Sequence, residues 1–115
     1  MSMDGQSLDI NNLAQRVKQG LSRKQVALGK DNFTRYCVSK RLGLVWVTED
    51  LAPHAIKKMR DQCQKHDIPF LVKGWSEDID AITNLHNTKV YLLKKNFSGL
   101  NYLLKVIESE AEGEA

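Results

Sequence analysis

The order of apolar segments along this chain predicts an α/β layered domain whose helices cover both faces of one sheet. Three observations carry that expectation. Short apolar, β-branched runs recur at residues 25–28, 42–47, 70–72 and 90–93. Longer stretches around them place apolar residues at the i, i+3, i+4, i+7 spacing of an amphipathic helix. The two patterns alternate, and alternation of that kind builds helices onto a shared sheet.

The run Leu42, Leu44, Val45, Trp46, Val47 is too short for a helix and apolar on both faces, so it reads as the central strand. Upstream, residues 25–28 form a shorter strand that ends at Gly29, and Phe33, Tyr36 and Cys37 follow at helical spacing. This strand, glycine turn, helix and strand should hold polar side chains at the helix start between two strands. Gly29, Lys30, Asp31, Asn32 and Arg35 are therefore the first candidates for function.

In chain order, Ile10, Leu13, Ala14, Val17 and Leu21 make a first helical stripe, with Ser7 or Asp9 to cap it and Gly20 placed as a C-terminal glycine. Beyond the central strand, Pro53 falls in the first turn of a helix whose buried face is Ile56, Met59 and Cys63, and Pro69 breaks the chain before strand 70–72. Ser76, Glu77 and Asp78 signal a further helix start, with Ile79, Ile82 and Leu85 as its stripe. His86, Asn87 and Thr88 make a tight connection into strand 90–93. The last stripe is Phe97, Leu100, Leu103, Leu104 and Ile107, after which periodicity stops. One domain over residues 1–107 and an acidic flexible tail over 108–115 are expected.

With 115 residues, 42% hydrophobic and 27% charged, the composition is that of a soluble globular domain. No apolar run approaches the roughly 20 residues of a bilayer span, and residues 1–10 lack the basic and apolar regions of a signal peptide. A cytoplasmic protein is expected, with Cys37 and Cys63 reduced and packed as small hydrophobes. Net charge is +3, but residues 1–41 carry eight bases against three acids, and the rest carries nine against eleven. A basic front half suits a nucleic-acid partner. Equally, a basic face on a small domain can serve solvation alone.

Bland readings stand beside the functional ones. Asp31 and Asn32 fit helix caps, Gly29 fits a plain turn, and Trp46 fits the core. Trp75 follows a strand exit, where partial burial against a helix is expected. Cys63 and His66, three apart on one helix, lack the further ligands of a metal site. Glu49 and Asp50 beside His54 are explained by capping and dipole compensation. The sequence carries no nucleophile constellation, phosphate loop or metal cluster, so neither an enzyme nor a cofactor is expected.

The V-x-x-G at residues 26–29 opening a helix, the strand exit Thr48-Glu49-Asp50, and the stretch C-Q-K-H-D-I-P-F at residues 63–70 together resemble the kink-turn RNA-binding ribosomal-protein family. That is the family of the archaeal ribosomal protein L-seven-Ae and the eukaryotic L-thirty-e. The resemblance spans approximately residues 13–107 and implies a three-layer α/β/α sandwich around a four-stranded mixed sheet. It also implies RNA contacts through a G-x-N-E-x-T-K motif at the strand-to-helix turn. Gly29 and Thr34 match that motif, while Asp31 stands in place of Asn, Asn32 in place of Glu, and Arg35 in place of Lys. A carboxylate in place of an amide lacks its N–H donors. Arg35 keeps the cation and Lys30 adds another. The family's second RNA-contacting loop would fall at His86, Asn87 and Thr88.

A non-catalytic binder of structured RNA is the function this implies, ribosomal or otherwise kink-turned, with Lys24, Lys30 and Arg35, together with Lys40 and Arg41, on phosphates and Asn32 at base edges. The competing reading is a protein-interaction or regulatory domain that keeps the fold without kink-turn recognition. A third is the substrate-binding part of a larger RNA-modifying assembly.

Overall fold

A computed structural model describes the backbone of residues 8–114 and the side chains of residues 8–110. Ser7, one of the two expected caps, lies outside the described residues. The other, Asp9, caps α1 (Ile10–Ser22) by accepting hydrogen bonds from the amides of Asn11 and Asn12 at 3.0 and 3.3 Å. The elements that follow are β1 (Val26–Leu28), α2 (Lys30–Ser39), β2 (Leu42–Val47), α3 (Pro53–Lys65), β3 (Phe70–Val72), α4 (Ser76–Thr83), β4 (Val90–Lys94) and α5 (Leu100–Glu114). No helix among the described residues is long and apolar enough to cross a membrane.

The strands form one sheet in the order β1-β4-β2-β3, with β2 and β3 parallel and the other pairs antiparallel. All six residues of β2 are buried, because neighbours cover the strand on both faces. Its side chains alternate between two cores. Leu44 and Trp46 join Tyr91, Leu93, Leu13, Val17, Ile79 and Leu103 beneath α1, α4 and α5. Val45 and Val47 join Leu92, Phe33, Cys37, Met59 and Cys63 beneath α2 and α3. The molecule is thus an α/β/α sandwich around a four-stranded mixed sheet, as the sequence led us to expect.

Trp46 is fully buried in the first core. It stacks on Tyr91 with ring centroids 4.7 Å apart, and its Nε1 donates to the Lys73 carbonyl at 2.9 Å. That bond removes the one polar liability of a buried indole and ties β2 to the exit of β3. On the other face Cys63 is fully buried, and burial pushes its thiol up to about 12, so it stays a protonated packing group. Cys37 is pushed up by the same cause.

Several local expectations are corrected. Gly20 lies inside α1, where a Cβ would sit 2.8 Å from Val26 Cγ2 and 3.0 Å from Phe97 Cε1, so the glycine allows helix, strand and ring to meet. The helix closes instead at Arg23, and Lys24 takes the left-handed conformation at φ +60°. Ala55 joins Met59 and Cys63 as a buried residue of α3, and Ile56 packs half-buried against the same core. Trp75 is 53% exposed, more open than the expected packing against a helix. Val106 joins the buried face of α5, and Ile107 packs half-buried against the same core. This helix also runs past residue 107 through Glu114, so the expected flexible tail begins as regular helix. Glu110 accepts a hydrogen bond from the Leu8 amide and pairs with Lys73 Nζ at 3.1 Å, and that amide bond, against a smaller effect of burial, lowers its carboxyl.

Candidate nucleic-acid interface

Strand directions divide the molecule into two edges. At one, β1 exits into Gly29, β2 exits into Thr48, β3 exits into Lys73, and β4 enters after Thr88. This turn edge contains most of the residues the sequence singled out. The Gly29 amide donates to the Val90 carbonyl at 3.2 Å, which brings residues 86–88 beside the turn at residues 29–32. The strands that hold the turn are β1 and β4, because β4 inserts between β1 and β2.

Gly29 has φ +90° and ψ 159°, a backbone region open almost solely to glycine, and nothing lies within 4 Å of the position a Cβ would take. The glycine is needed for conformation, and it leaves the backbone uncovered. No side chain caps α2, so the N–H groups of its first turn and the positive end of its dipole face the edge. Asp31 and Asn32 therefore do not cap this helix.

Around that helix start the candidates separate. Lys30 is exposed and shares a groove with Thr34, Val38 and Lys58 between α2 and α3. Asp31 and Arg35, also exposed, are one turn apart on another flank of α2. Asn32 is half-buried, and its Nδ2 donates to the Leu28 carbonyl at 2.8 Å, which fixes the strand end to the helix. One of its amide donors is thus committed internally.

His86 and Asn87 are exposed and Thr88 is half-buried, and the turn is held by a residue sequence reading passed over. Asp80 accepts from the Asn87 amide at 2.7 Å and from the Thr88 amide at 3.4 Å. Asn87 sits at φ +51°, a conformation asparagine tolerates better than most side chains. The only signal of this arrangement in the sequence is an acid seven residues upstream of a turn.

Glu49 and Asp50 act as struts. Glu49 accepts from the Gly74 amide at 2.8 Å, while Asp50 takes both the amide and the hydroxyl of Ser76, the first residue of α4. Burial works to raise the Asp50 carboxyl, but hydrogen bonds, those from Ser76 foremost with smaller ones from Thr48 and its own backbone, together outweigh it and hold the group at about 2. A depressed carboxylate stabilises the fold above its unfolded pKa and loses that stabilisation as pH falls through the folded value. We expect about 1–2 kcal/mol of stability to vanish between pH 5 and pH 2, after allowance for partial exposure. Asp50→Asn should flatten that part of the acid limb in urea titrations at successive pH values, and an unchanged limb would remove Asp50 as its source.

Lys24 does not belong to this edge. It lies before β1, at the opposite end of the sheet, where its carbonyl accepts from Lys94 Nζ at 3.1 Å. Among the described residues no group of three His, Cys, Asp or Glu side chains is placed to hold a metal ion.

No protein-family model and no curated protein matches the chain. Solved structures do. A Bacillus halodurans protein of unknown function superposes with a TM-score of 0.72 at 21% identity, over 83% of this chain and 95% of that one. A Giardia lamblia 15.5kD RNA-binding protein superposes with a TM-score of 0.71 at 19% identity, over 91% of this chain and 92% of that one. At such identities the likeness is one of fold. The class of molecule is therefore a small α/β/α sandwich domain with an open glycine turn at one sheet edge.

Proposed function

We propose that this protein is a non-catalytic, cytoplasmic RNA-binding protein of the kink-turn-binding ribosomal-protein type, docking structured RNA on the turn and helix start at residues 29–35. The observation that carries the proposal is Gly29 in a glycine-only conformation at the uncapped start of α2, which exposes backbone N–H groups beside Lys30. Phosphates fit that positive helix end, and the adjacent turn at residues 86–88 supplies polar groups within reach of the same RNA. A protein of the same fold is described as RNA-binding, which agrees with this reading.

The acids of the turn edge favour one other reading, a protein-interaction domain. Asp31 lacks the amide donors that read base edges, and Glu49, Glu77 and Asp78 share the edge with it.

Anisotropy titrations with a kink-turn RNA and a plain RNA duplex at fixed salt and magnesium separate the two. The kink-turn should bind more tightly than the duplex, and Lys30→Gln or Arg35→Gln should each flatten the kink-turn's salt slope by about one unit. Asp31→Asn should tighten kink-turn binding about tenfold with little change for the duplex, since it adds donors at an exposed position and leaves the Asn32 bond to Leu28 intact. Equal affinities for both RNAs, unmoved by Asp31→Asn, would transfer the turn edge to a protein partner.

A further inference from the structure

The opposite edge of the sheet collects cations from four separate parts of the chain. In spatial order they are Lys24 before β1, Lys94 and Lys95 at the exit of β4, Lys40 and Arg41 before β2, and Lys65 before β3. Hydrogen bonds tie them together: the Lys95 amide donates to the Arg41 carbonyl at 2.9 Å, and the Lys94 Nζ, which also lies 5.3 Å from the centroid of the Tyr36 ring, donates to the Lys24 carbonyl. Asp67 is the one carboxylate of these strand entries and exits. None of the six cations has an ion pair among the described residues. Lys40, Lys65 and Lys95 line a cleft of 410 Å³ with His66 and Asp67, floored by Leu42 and Ile68. The turn edge is mixed instead, with Lys30, Arg35, Lys73 and Lys89 against Asp31, Glu49, Asp50, Glu77 and Asp78.

Dipole compensation explains only part of this. Lys24, Lys40 and Lys65 follow or end helices, where a cation is favourable. Arg41, two residues past α2, falls under the same rule, but Lys94 and Lys95 stand at the exit of β4 and precede α5, whose N-terminal end calls for carboxylates. Lys24 and Lys40 also take left-handed conformations, at φ +60° and +59°, where glycine or asparagine is the default. The chain places lysine where its backbone conformation is disfavoured.

We propose that this basic edge is a second nucleic-acid surface, gripping the phosphate backbone of an RNA duplex independently of the Gly29 turn. Four strands at about 4.8 Å spacing spread the cations over about 15 Å, wide enough to follow a backbone ridge. A cleft admits such a ridge, whereas a flat anionic bilayer would meet only its rim. The choice of RNA over DNA rests on the proposed function; the phosphate grip does not. With one surface at each end of the strands, a single protein can bridge two RNA segments.

The test uses the full chain, a plain RNA duplex and vesicles of anionic phospholipid. Lys40→Gln, Arg41→Gln and Lys95→Gln combined should weaken duplex binding tenfold or more and make the salt slope shallower by about three units. Lys57→Gln, which removes an exposed cation on α3 that belongs to neither surface, should leave duplex binding within twofold of wild type. A second variant, Lys24→Gly with Lys40→Gly, suits the left-handed backbone, so it should hold or raise Tm while still weakening the duplex, which a purely structural role for these lysines would not produce. Duplex affinity within twofold of wild type in both variants overturns the proposal. So does a loss of vesicle binding with duplex binding retained. Failure of kink-turn preference alone leaves these results intact, so the two surfaces stand or fall separately.

Discussion

Trp46→Ala should lower stability by about 4 kcal/mol, a large share of the roughly 5–15 kcal/mol that holds a domain together. The side chain is fully buried, stacks on Tyr91 and bonds the Lys73 carbonyl, so truncation removes apolar contact, leaves a cavity in the sheet and orphans an acceptor. With a urea m value of about 1–3 kcal/mol/M, the midpoint should fall by roughly 2 M. Trp46→Phe keeps a ring over Tyr91 and loses only fit and the hydrogen bond, for about 1–2 kcal/mol. Trp75→Ala supplies the contrast, since an exposed side chain should change stability by no more than about 0.5 kcal/mol. Equal losses for the two alanine variants would contradict the packing described for the sheet.

Gly29→Ala should cost about 1–3 kcal/mol although no atom obstructs the added methyl. The penalty is conformational, because φ +90° with ψ 159° lies outside the range of L-residues. Relief by rotation would break the Gly29 amide bond to Val90 and swing the first turn of α2 away from residues 86–88. Kink-turn affinity should therefore fall tenfold or more, while duplex binding at the basic edge persists. D-Alanine at the same position, introduced by chemical ligation, prefers the mirror-image backbone and should recover most of both losses. An L-alanine variant with wild-type stability and kink-turn affinity would show that the turn is not fixed by its glycine.

Local signals made the elements legible. The β-branched run of β2, the stripes of α1 and α3, and Pro53 at the first turn of α3 are all written in neighbouring residues. What stayed hidden depends on distant ones. Gly20 looks like a helix end until Val26 and Phe97 are seen to press against it. Asp50 looks like a local cap until Ser76, 26 residues later, is found on its carboxylate. The grouping of residues 29–35 with 86–88 follows from alternating strands and helices, and so does the place of Lys24, which precedes the strand that ends at Gly29 and therefore stands at the other edge. Counting charge by halves of the chain obscured its division by edges, since six cations from four segments meet only once the strand order is set.

That order also sets a schedule for synthesis. β1 pairs with β4 alone, so this strand has no partner in the sheet until residues 90–94 have been made. β2 has β3 as an early neighbour, but its longer contact, five residue pairs along β4, also waits. Non-local pairing of this kind is slow and leaves apolar strand faces uncovered while they wait. The nascent protein should consequently gain protease resistance late and abruptly, as residues 90–94 clear the exit tunnel, and arrested chains ending before residue 90 should depend on chaperones to stay soluble.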